Sequence, residues 1–158
     1  MNSSLWIFVC VGIGVVAGLR SFTAPAVVCW GAQLGWLVLA GTRLEFMGSK
    51  IAVGVFSILA IVEIVSDKLP STPNRTTAVP LGARIFMGVL CGAAVGIAAG
   101  QSFAVGAVLG VVGALIGAFG GYQIRHRLVA GLKVPDFVIA ILEDVVAIGG
   151  GLLLVSRF

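Results

Sequence analysis

The sequence is poor in charge. Of 158 residues, ten are Lys or Arg and six are Asp or Glu, a charged fraction of 10%, against about 25% in an ordinary soluble domain. So few charges exclude a water-soluble globule. They also exclude a disordered chain, which needs high charge and low hydrophobicity. Cysteine is scarce as well. Cys10, Cys29 and Cys91 all lie in apolar runs and form no C-x-x-C pair, which excludes a disulfide framework and leaves small packing residues. The single histidine, His126, sits in Arg125-His126-Arg127. There it reads as an interfacial cation, since a metal site needs further ligands. No H-E-x-x-H, Cys-His pair or P-loop is present, so no metal, cofactor or catalytic residue is expected and the chain is not read as an enzyme. Met1 to Ser4 carry no basic residue, and the apolar run that follows has no small-residue cleavage site before polar sequence. That run is expected to be a retained helix and not a signal peptide.

What is abundant is apolar sequence. The hydrophobic fraction is 59%, the mean hydropathy is +1.17, and 23 residues are Gly. A helix needs ~20 apolar residues to cross ~30 Å of hydrocarbon, which leaves room for five or six passes and no soluble domain. Continuous rather than alternating apolar runs exclude a β-barrel. The sequence therefore predicts an all-α integral membrane protein, a bundle of five to six transmembrane helices forming one domain over 1–158. Segments are expected at about Leu5–Leu19, Pro25–Ala40, Ile51–Ser66, Leu81–Ala99, Phe103–Tyr122 and Pro135–Leu154, the last with Pro135 in the first helical position. The first two would make one helix too long for a bilayer, so the chain must break at residues 20–25. Pro25 disfavours helix at Ala24, and Ser21 or Thr23 can cap the second segment. The stretch 67–77 reads as a polar loop, 123–134 as a basic one. A short echo, Gly18-Leu19-Arg20-Ser21-Phe22 against Gly82-Ala83-Arg84-Ile85-Phe86, raises an internal repeat with halves 1–70 and 80–158.

The net charge of +4 points to membrane orientation and not to nucleic acid. With six passes, Arg20, Lys68, Arg75, Arg84, Arg125, Arg127 and Lys133 fall on one side and Arg43, Lys50 and Arg157 on the other. The side richer in Lys and Arg, with loops 67–80 and 123–134, is expected to be cytoplasmic. Both termini then lie outside, unless the first segment is a re-entrant hairpin.

Glycine recurs at four-residue spacing: Gly88, Gly92, Gly96 and Gly100, then Gly113, Gly117 and Gly121 after Gly106 and Gly110, with shorter copies Gly14/Gly18 and Gly31/Gly35. Such faces let helix backbones approach closely in lipid. The pattern fits packing of the fourth segment on the fifth and also a homo-oligomer interface.

Charges within the apolar segments carry the functional reading. Arg20 lies at the break, Glu63 one turn inside the third segment, Arg84 in the first turn of the fourth, and Glu143 and Asp144 well inside the sixth. An unpaired charge at depth costs ~2.5–3.5 kcal/mol or more, so these groups must pair or meet water. With Ser21, Thr23, Asp67 and Asp136 they form a candidate ion or solute pathway. Two readings lead, ahead of a third, a lipid-modifying enzyme that would use a carboxylate pair for acid–base work. One is a small transporter or channel with a polar vestibule, where the broken backbone meets the solute. The other is a Gly-packed scaffold whose charges are latches.

The run Gly18-Leu19-Arg20-Ser21-Phe22-Thr23-Ala24-Pro25, with Glu63, Asp67-Lys68-Leu69-Pro70 and Pro73-Asn74-Arg75-Thr76, resembles a family of small bacterial membrane proteins known only as a domain of unknown function. Pro135-Asp136, Glu143-Asp144 and Ala147-Ile148 fit its short members. The resemblance implies a bacterial inner-membrane protein; the expected partners, the lipid bilayer and further copies of the chain, come from composition and the glycine faces. It implies no substrate or reaction.

Overall fold

The computed structural model describes residues 4–68, 76–132 and 135–158. They form six α-helices and one short 3-10 turn: α1 Leu5–Leu19, α2 Thr23–Gln33, the turn Glu45–Gly48, α3 Lys50–Ser66, α4 Ala78–Ala98, α5 Phe103–Leu132 and α6 Asp136–Val155. No strand occurs among the described residues.

Successive helices run in opposite directions. The α1–α2 junction is a reversal rather than a kink, because Gly12 of α1 and Gly31 of α2 both lie beside the C-terminal end of α6, at Leu154 and Val155. The α1–α2 junction at 20–22, the end of α3, the start of α4, the end of α5 and the start of α6 therefore gather at one end. The opposite end holds the start of α1, the irregular stretch 34–44, the α4–α5 turn and the C-terminus.

Glycine sets the core. The helices α1, α4 and α5 pack with their backbones nearly touching. A Cβ at Gly88, Gly92, Gly106 or Gly110 would fall within 3.0 Å of backbone across the α4–α5 contact, and one at Gly14, Gly18, Gly113 or Gly117 would do so across α1–α5. The two faces thus meet inside one chain, and α5 uses two of its faces. Gly96 also lies against Gly106. The free cysteines are buried in this interior, and the Cys10 thiol lies 3.5 Å from the Gly92 carbonyl oxygen.

Boundaries differ from expectation at the end of α2, the end of α5 and the start of α6. The second segment stops at Gln33 rather than near Ala40. Gly35, at φ +79°, ends it with hydrogen bonds from Trp36 N–H to the Gly31 carbonyl and from Gly35 N–H to that of Ala32, a Schellman cap. Gly100, at φ +72°, ends α4 in the same way and has open space where a Cβ would stand. Gly35 and Gly100 therefore close helices and do not continue the packing faces. Residues 123–132 are helix, not loop, because Gln123 to Leu128 are adequate helix formers and no proline intervenes before Pro135. Pro135 precedes the first turn of α6 rather than occupying it. The positions 69–75 and 133–134, including Arg75 and Lys133, lie outside the described residues.

The surface inverts the soluble pattern. Ile51, Ile58, Phe86, Val108, Val145 and Leu153 are each more than half exposed, whereas Arg20 is 0% and Arg84 4% exposed. An apolar exterior over a partly charged interior suits a lipid solvent. Among the described residues, three helices are long and apolar enough to cross a membrane, Ala78–Ala98, Phe103–Gly131 and Asp136–Val155, and α1 is a shorter apolar helix. The chain is an all-α membrane protein.

Candidate functional site

The end where α1 gives way to α2 collects five of the six carboxylates: Glu63, Asp67, Asp136, Glu143 and Asp144. Each half of the break is closed by one charged side chain. A helix C-terminus leaves carbonyls unsatisfied and an N-terminus leaves amides, and this junction is largely buried. Arg84, from the first turns of α4, donates through Nη1 to the carbonyls of Gly18 at 2.9 Å and Leu19 at 2.7 Å. Glu63, near the end of α3, accepts from the backbone N–H groups of Ser21 at 2.7 Å and Phe22 at 2.8 Å. The guanidinium thus meets the negative end of α1 and the carboxylate the positive end of α2, as the helix dipoles favour.

This arrangement corrects two expectations. Neither Ser21 nor Thr23 provides the N-cap hydrogen bond of α2. The N-cap residue is Phe22, and no side chain there bonds back to the helix. Nor does the break hold out these backbone groups to a solute, because Glu63 and Arg84 already satisfy them.

Between the two caps lies Arg20, wholly buried. Its Nη1 donates to Asp67 at the end of α3, and its Nη2 stands 2.6 Å from Oδ1 of Asp144 on α6. The other oxygen of Asp144 accepts from Lys68 Nζ at 3.0 Å, and Lys68 also donates to the Ile64 carbonyl at 3.0 Å. Arg20, Asp67, Lys68 and Asp144 therefore form one network of two cations and two anions that ties the α1–α2 reversal to α3 and α6. A planar guanidinium serves two carboxylates in different directions, which a lysine cannot do as well.

A second cluster stands further out. Arg125 of α5 makes a two-pronged contact with Asp136, Nε to Oδ1 at 2.8 Å and Nη2 to Oδ2 at 2.5 Å, and its Nη1 lies 3.5 Å from Glu143 Oε2. Asp136 and Glu143 thus both face Arg125 of α5. His126 is exposed, and its ring lies edge-on to Tyr122 with centroids 6.3 Å apart. Gly121 is buried and lines a crevice of about 200 Å³ with Leu19, Arg125 and Glu143.

Sequence reasoning missed Lys68 and Arg125 as members of the site. Both count there toward membrane orientation and stay outside the candidate pathway. The available signal was spacing: Lys68 is one turn beyond Ile64, and Arg125 is eleven residues before Asp136, within reach across a helical hairpin. Among the described residues, no group of three or more His, Cys, Asp or Glu is placed to hold a metal ion.

No curated protein and no solved structure matches the chain. One family model does, over residues 7–156, nearly the whole sequence and all six helices. By that match the chain belongs to the family described as Domain of unknown function (DUF4126).

Proposed function

We propose that this protein is a small transporter or channel-like protein that moves a small ion or solute past the Arg20 network. One observation carries the reading. Arg20 has no solvent exposure, sits at a chain reversal among apolar helices, and is held by carboxylates from two different helices. Charge is retained at such depth at considerable cost, and intramembrane ion pairs shared between helices mark ion pathways in many membrane proteins. A small cation competing for Asp67 and Asp144 would release Arg20 and loosen α6 from the α1–α2 junction. The four charges of the network sum to zero, so one entering charge would unbalance it. On this reading the protein is not an enzyme.

The setting proposed for it is a bacterial inner membrane, crossed several times, with the charged end cytoplasmic because it carries Arg20, Lys68, Arg84, Arg125 and Arg127. At ~1.5 Å per residue the 30 residues of α5 reach about 45 Å, so the turns around Arg125 would stand in the cytoplasmic headgroup region. Assembly into a homo-oligomer belongs to the same proposal. Gly149 and Gly150 on α6 have open space around them and could serve it.

A scaffold reading has its own support: Glu63 and Arg84 serve as caps, and the glycine faces are used between helices of one chain. Charge movement in proteoliposomes separates the two. A gradient of small cations, and separately a pH step, is applied to wild type and to Asp144→Asn shown to be folded. A wild-type current lost in Asp144→Asn supports transport. No current under any gradient, together with a loss of stability in Asp144→Asn, favours the scaffold.

A further inference from the structure

The short helix α2 is the floor of a groove of about 330 Å³ between α3 and α6, both of which pack against it. The groove runs from Thr23 to Leu34 and is walled by apolar side chains such as Ile64 of α3 and Ile148 and Leu152 of α6. It opens on the apolar exterior, where Trp30 is 44% and Leu34 53% exposed. Three features bear on its occupant.

The first is length. The 11 residues of α2 rise about 16 Å at ~1.5 Å each. That is half of a ~30 Å hydrocarbon core, the depth that one lipid tail occupies in its own leaflet. The second is polarity at one end only. Lys68 and Asp144, joined at 3.0 Å, bridge α3 and α6 one turn beyond Ile64 and Ile148. A headgroup placed there would meet fixed charge while its tail met only carbon. The third is an unmet hydrogen-bonding group. Thr23 lines the groove at its charged end, is 2% exposed, and its Oγ1 has no hydrogen-bond partner. Buried hydroxyls are nearly always satisfied, and one rotation about Cα–Cβ exchanges the hydroxyl with the methyl of a threonine.

We infer that this groove binds one acyl chain of a membrane phospholipid, with the ester carbonyl accepting from Thr23 Oγ1 and the headgroup beside the Lys68–Asp144 bridge. The inference does not rest on transport: it concerns occupancy of the groove and is read without any flux.

The test uses the tryptophan that the groove already holds. Trp30 donates through Nε1 to Ser57 Oγ at 3.1 Å across it. Trp6→Phe and Trp36→Phe leave Trp30 as the sole indole. The full chain, delipidated in detergent, is titrated with phosphatidylglycerol brominated at mid-chain, which quenches indole on contact. The expected result is quenching that saturates near one lipid per chain. Ala60→Phe, which fills the groove, is expected to weaken binding at least about ten-fold, and the nearly isosteric Thr23→Val about five-fold, the loss of one neutral hydrogen bond, with thermal stability unchanged. Quenching that rises in proportion to the lipid-to-detergent ratio and is the same in Thr23→Val would mean general lipid contact only and would overturn the inference.

Discussion

Arg20 holds its charge out of water because Asp67 and Asp144 approach it from α3 and α6. Breaking a buried pair strands the remaining charge, which costs about 3–5 kcal/mol. Arg20→Gln should lower stability by that order, measured as the free energy of unfolding in detergent. Adding Asp144→Asn to Arg20→Gln should cost much less than Asp144→Asn alone, because residues in one network are not additive. Strict additivity would show that Asp144 does not depend on Arg20. Glu63 makes a different prediction, since among the described residues it bonds backbone and not a cation. Glu63→Gln keeps an acceptor but loses the charge and should cost about 1–2 kcal/mol, less than Glu63→Ala, consistent with the range for helix capping. Equal losses in the two variants would remove the capping role. At this scale the sequence already pointed to Arg20, Glu63, Arg84 and Asp144, because a charge in an apolar run is visible in one dimension. Their assignments were not visible: nothing in the sequence separates Glu63, which serves two amides, from Asp144, which serves two cations.

Helix positions follow from apolar runs and punctuation, and most were legible. The break at 20–25 was forced by length, and the expected bounds Leu81–Ala99 and Phe103–Tyr122 already left a turn between α4 and α5. Where a glycine was misjudged, the cause is that a glycine in sequence does not declare its conformation. Gly35 and Gly100 stand four residues after Gly31 and Gly96 and so read as members of packing faces, yet both adopt positive φ and stop helices. The remaining glycines divide by what they face. Gly92 lies against the backbone of Gly106 and Gly110, whereas Gly54 in α3 has nothing within 4 Å of its missing Cβ. Gly92→Val must push α4 off α5 and should cost at least about 1–3 kcal/mol, as overpacking does. Gly54→Ala should be neutral or add about 0.5–1 kcal/mol through helix propensity. Unfolding of both variants in the same detergent checks the contrast, and equal effects would contradict the close α4–α5 approach.

For the whole molecule, alternation of six helices puts residues 123–132 and the irregular stretch 34–44 at opposite ends. If those ends face opposite sides of a membrane, His126→Cys and Arg43→Cys should be labelled by an impermeant maleimide from opposite sides. The native cysteines are buried and should remain silent. Labelling of both from one side would refute alternating passage. The sequence by itself determined the solvent of this protein, its all-helical class and most of the charges that need explanation. Each of these follows from summed transfer free energies along the chain, which need no knowledge of neighbours. Only the tertiary structure decided which charge caps a helix end and which joins a network, that two glycine faces of α5 receive both α1 and α4, and that α2 leaves a groove between α3 and α6. Those outcomes depend on distances between residues remote in sequence, such as Arg84 and Gly18 or Arg20 and Asp144. A charge in lipid must find a partner, and only the packed fold determines which one lies within reach.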